Sequence, residues 1–123
     1  MGLRVHVIKK HADYGTAEAF NYRYEDFHNF LDAMGCDVTG DEEDRDFECE
    51  EGKYKVALDI LKAYKKHPKS KKVQEFFEEW GLDESELNDY LEDLGGLDEV
   101  IEAMSAFWNQ REKGFGYISF SAW

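Results

Sequence analysis

Proline occurs once in this chain of 123 residues, at Pro68, and cysteine twice, at Cys36 and Cys49. The two cysteines form no CxxC pair, so neither a zinc ribbon nor a disulfide framework has its usual marks. Both thiols are expected reduced and half-buried. No apolar run approaches the roughly 20 residues of a membrane span. The opening "MGLRVHVIKK" holds no secretory h-region, and His6 stands where a myristoylation signal has Ser or Thr. A cytoplasmic chain with no membrane partner is the expectation. Catalytic and nucleotide motifs are missing too: there is no GxSxG, no Walker lysine loop and no GxGxxG. "GFG" at Gly114–Gly116 precedes a strand pattern rather than a helix, so it makes no phosphate cradle.

Positive charge is absent over a long stretch. Residues 73–110 carry twelve acids and no Lys or Arg, and residues 37–51 carry nine acids against Arg45 alone. Between them, residues 53–72 hold eight lysines against Asp59, and the chain as a whole sums to -13. Such a field repels phosphate backbones and attracts basic partners, which disfavours direct nucleic-acid binding. The lysines themselves read most simply as a solvated face that aids solubility.

What is present suits one folded domain over residues 1–123. Apolar residues make up 42% and aromatics 15%, too many for a disordered chain. Leu3, Val5 and Val7 alternate with Arg4 and His6, as in a half-buried strand. "KHADYGTAEAFN" reads as an irregular connection. A helix follows over 22–34, with Tyr24, Phe27, Phe30, Leu31 and Met34 on one stripe and Gly35 as the stop. His28 falls at the rim of that stripe.

From Lys53 the period is helical through Tyr54, Ala57, Leu58, Leu61 and Tyr64, until His67-Pro68 ends it. Ser70 caps a short helix whose stripe is Val73, Phe76, Phe77 and Trp80. Asp83 and Glu86 cap the next, with Leu87, Tyr90, Leu91 and Leu94 inward. The last helix carries Val100, Ile101, Met104, Phe107 and Trp108, with Arg111 and Lys113 set against its C-terminal dipole. "FGYISFSAW" closes as a strand with Ile118, Phe120 and Ala122 on one face and Tyr117, Ser119 and Ser121 on the other. The expected fold is α+β: a small, mostly antiparallel sheet of the N- and C-terminal strands plus a short strand near 46–50, covered on one face by about five helices.

The densest feature is "GDEEDRDFECEEG", with seven acids between Asp41 and Glu50. An EF-hand register needs oxygen ligands at loop positions 1, 3, 5 and 12 and Gly at position 6. Starting at Asp37 places Glu42 at the glycine position; starting at Asp41 places Arg45 and Gly52 at ligand positions; starting at Asp44 places Lys55 at the last. No register survives. The alternation of Phe47 and Cys49 with Asp46, Glu48 and Glu50 reads instead as a strand with one charged face. Asp41, Glu42, Glu43, Asp44, Asp46, Glu48, Glu50 and Tyr117 are the candidate binding residues.

His6, His11, His28 and His67 show no HExxH or HxH spacing, and neither a metal nor another cofactor is called for. "HADYG" supplies weak catalytic candidates: His11 as base, Asp13 as the group that orients it, and Tyr14 as a hydrogen-bond donor. The same residues suit a polar loop that satisfies its own backbone.

Three functions remain open. The first is an acidic protein-binding module, an inhibitor or immunity-type protein that neutralises a basic, nucleic-acid-binding partner. The second is a small enzyme or divalent-cation-binding protein using His11, Asp13 and Tyr14. The third is a structural homodimer whose charge serves solubility alone.

Overall fold

The computed structural model describes residues 4–7, 18–20, 23–40, 46–111 and 113–122. In chain order these form β1 (Val5–Val7), β2 (Glu18–Ala19), α1 (Tyr24–Ala33), β3 (Asp46–Glu50), α2 (Glu51–Lys66), α3 (Lys71–Trp80), α4 (Glu84–Asp93), α5 (Leu97–Gln110) and β4 (Tyr117–Ala122). The strands make one four-stranded sheet in the order β2-β1-β4-β3. Every pairing is antiparallel, and the first and last strands meet at its centre, with Val5 opposite Ala122 and Val7 opposite Phe120. This is the α+β architecture that the alternating patterns imply.

The core lies between the inner sheet face and the helices. Val5, Val7, Phe47, Cys49, Ile118, Phe120 and Ala122 all point inward and are buried. Phe120 is packed edge-on against Phe27 at 5.4 Å and Phe107 at 5.2 Å, and tilted against Phe47 at 5.3 Å. Rings in such arrangements gain beyond the area they bury. Tyr54 is fully buried, and its hydroxyl donates to the Met104 carbonyl at 2.9 Å, which offsets the cost of removing that oxygen from water.

Local signals place the helix ends. Ser70 Oγ accepts from Val73 N at 3.4 Å, and Asp83 Oδ1 accepts from Glu86 N at 2.8 Å. Gly81 closes α3 in the left-handed conformation at φ 62°. Helix α2 begins at Glu51, two residues before the Lys53 expected from its stripe. Its first amide is satisfied from outside the helix, by the Gly116 carbonyl at 2.9 Å, so β3 runs into α2 without a loop.

Four expectations need correction. The connection after β1 is not wholly irregular, since Glu18–Ala19 adds an edge strand to β1. The cysteines are fully buried rather than half-buried. His28 is buried rather than on a rim, because its ring packs edge-on against Phe47 at 5.5 Å and its Nε2 meets the Gly40 carbonyl at 3.1 Å. Trp80, assigned to the inner stripe of α3, is 42% exposed.

Candidate functional site: an acidic sheet face

The period of two in β3 and β4 sends alternate side chains to opposite faces. Pairing then sets the outer residues opposite one another: Asp46 faces Ser121, Glu48 faces Ser119, and Glu50 faces Tyr117. One row of three carboxylates therefore runs beside a row of two hydroxyls and a phenol. Ser119 Oγ donates to Glu48 Oε2 at 3.2 Å, and Ser121 Oγ donates to Asp46 Oδ1. Each carboxylate keeps acceptor capacity beyond that single bond. Asp46, Glu48, Ser119, Ser121 and Thr39 line a shallow depression of about 420 Å³ on this face. Tyr117, at its end, is 51% exposed.

Strand β3 is an edge strand, and unpaired edges invite other chains. Here the segment after α1 covers it. Thr39 N donates to the Glu48 carbonyl at 2.9 Å, with Thr39 Oγ1 at 3.3 Å from the same oxygen, and Glu50 N donates to the Cys36 carbonyl at 3.1 Å. Between these bonds Asp37 turns through φ 52°, and its carboxylate is held by Lys53. That hydrogen bond, rather than burial, holds the Lys53 pKa above its ordinary value. Lys53 also lies 3.8 Å from Glu50, so charge at this end of the row is partly answered.

Most of the other lysines from α2 to the start of α3 are tied to acids as well. Lys55 pairs with Asp59 at 2.7 Å, Lys65 with Asp98 at 2.6 Å, Lys69 with Glu84 at 2.9 Å and Lys71 with Glu75 at 3.7 Å. Lys65 and Lys69 thus link α2 and the turn after it to α5 and α4, Lys55 and Lys71 pair within their own helices, and most of these lysines remain exposed. Among the described residues no Lys or Arg pairs with Asp46 or Glu48. The row itself therefore carries negative charge.

The chain matches no protein-family model, no curated protein and no solved structure.

Asp46, Glu48, Glu50 and Tyr117 are brought together on the outer face. Asp41, Glu42, Glu43 and Asp44 lie outside the described residues, as do His11, Asp13 and Tyr14 of the catalytic alternative. Among the described residues no three His, Cys, Asp or Glu side chains gather closely enough to hold a metal ion, and no helix is long and apolar enough to cross a membrane. Sequence reasoning missed the serine donors and the edge cover by Cys36 and Thr39. The serines were visible as the outward half of β4, but only the register tells which carboxylate each one reaches.

Arg111, assigned to the dipole of α5, has a larger role. Its Nη1 donates to the Trp108 carbonyl at 2.6 Å, and its guanidinium lies 3.5 Å from the centroid of the Trp108 ring. Its Nε forms an ion pair with Glu51 at 3.2 Å, although the atoms are not aligned as a hydrogen bond. Arg111 thereby ties the end of α5 to the start of α2.

Proposed function

We propose that the protein is a small acidic binding module that docks a cationic protein partner on the outer face of its sheet. The carrying observation is the row Asp46, Glu48 and Glu50, set by strand register beside Ser119, Ser121 and the exposed ring of Tyr117. Three like charges on one strand face repel one another, so such a row is poorly explained as a means of stabilising the sheet. A partner's Lys or Arg side chains relieve that repulsion, while Tyr117 adds an amphipathic ring of the kind that anchors interfaces. A partner that itself binds nucleic acid has the required charge, and covering its basic surface would inhibit it. The module then acts as an inhibitor or immunity-type protein.

The test compares the wild-type chain with the triple variant Asp46→Asn, Glu48→Gln, Glu50→Gln in affinity capture, first at low and then at high salt. A basic protein retained by the wild type at low salt, released as salt rises, and lost to the triple variant supports this reading. Retention of the same proteins by both chains sinks it.

A further inference from the structure

We propose that Trp80 is a second docking point, a cation–π platform for an arginine or lysine side chain of a basic peptide segment. Trp80 ends α3 and is 42% exposed, whereas Phe76 and Phe77 in the preceding turn are buried. Its ring is nonetheless fixed. A Cβ built on Gly35 would lie 2.5 Å from Cε2, 2.6 Å from Cζ2 and 2.7 Å from Cδ2, so the indole sits directly on the glycine backbone. Phe76 supports it from the side, with ring centroids 6.4 Å apart. Gly35 and Phe76 thus hold part of the ring while the residue remains 42% exposed. A ring ordered in advance loses little freedom when a ligand arrives.

The surroundings select the ligand's charge. Asp32 lies one helical turn before Gly35, Glu78 and Glu79 precede Trp80, and all three are exposed. No Lys or Arg occurs from residue 73 to residue 110. A cation over an indole is held by the ring's negative face, and the twelve acids of residues 73–110 give this part of the chain a negative field that favours a cationic ligand. Arginine suits the role best, because its planar guanidinium stacks. The protein already uses this contact internally, since Arg111 covers Trp108, and Lys55 lies 5.8 Å from the same ring. Among the described residues no cation stands over Trp80. This inference rests on α1 and α3 and does not depend on the function proposed for the sheet face.

The test titrates a hexa-arginine peptide into the ¹⁵N-labelled full chain and follows its indole N–H signals. Three tryptophans are present, and the signal absent from Trp80→Leu identifies Trp80. The Trp80 signal is expected to shift and saturate, and Trp80→Leu to weaken binding about three- to tenfold. Trp80→Phe keeps a ring on Gly35 and is expected to bind between the two, which preserves the test if the leucine variant does not fold. The sheet-face triple variant is expected to keep the Trp80 shift, even if the sheet-face function itself fails. An unmoved Trp80 signal, binding to Trp80→Leu within twofold of wild type, or loss of the shift in the triple variant overturns the proposal.

Discussion

The indole of Trp80 rests on Gly35, so closely that a methyl group there would stand 2.5 Å from Cε2. Gly35 also has φ 76°, a conformation that side chains rarely adopt. Gly35→Ala therefore meets both a collision and backbone strain, and a loss of about 3 kcal/mol is expected. Gly81 has φ 62°, and a methyl group there would find nothing within 4 Å, so Gly81→Ala meets strain alone and is expected to cost about 1 kcal/mol. Denaturant unfolding of the two variants checks the order. Adding Trp80→Leu to Gly35→Ala is expected to recover part of the loss, and strict additivity would refute the contact as its cause.

The carboxylate row on β3 carries an opposite expectation. Neutralising Asp46, Glu48 and Glu50 keeps the hydrogen bonds from Ser119 and Ser121 within reach of amide oxygens while removing like-charge repulsion. The melting temperature of the triple variant is expected to equal or exceed that of the wild type. A fall of several degrees would mean that the row is structural, and the binding proposal would lose its main support.

Buried thiols give a test at alkaline pH. Burial, followed by the charges of Asp37 and Asp32, pushes the Cys36 thiol up from 9.0 to about 12. Cys49 is raised as well, first by burial and then by Cys36. A pKa raised in the folded state favours the protonated thiol there. The resulting stability is complete below the unfolded value near 9.0 and is lost as pH climbs toward about 12. Chemical denaturation from pH 8 upward is expected to show this decline. At pH 8 iodoacetamide is expected to label neither thiol in the folded chain and both in denaturant. Rapid labelling of the native protein would contradict the burial of both groups.

Acid acts on a different contact. Glu84 accepts from Lys69 at 2.9 Å and from the Tyr64 hydroxyl at 2.9 Å, and the Lys69 bond, then the Tyr64 bond, lowers its pKa below 4.5. A lowered carboxylate pKa stabilises the fold above the unfolded value and stops doing so as pH falls through the folded value. Glu84→Gln is expected to be less stable than wild type near neutrality and to converge with it under acid. A gap between the two chains that is constant with pH would show that the ionised carboxylate is not what matters.

Local chemistry made much of this fold legible. Ser70 and Asp83 cap the helices they were expected to cap, because a short oxygen-bearing side chain acts on amides only two or three residues away. Alternation in "DFECE" and "YISFSA" places Phe47, Cys49, Ile118 and Phe120 inward without knowledge of any partner strand. Charge blocks, too, are properties of the chain itself. Tertiary structure alone decided that Glu48 faces Ser119, that Cys36 and Thr39 cover the β3 edge, and that the Glu18–Ala19 strand joins β1. These are contacts between segments distant in sequence, and pattern periodicity carries no information about register. The same holds for His28 and Trp80: a helical stripe gives the direction of a side chain, but whether packing or water meets it there depends on Phe47 and Gly35 arriving from elsewhere in the chain.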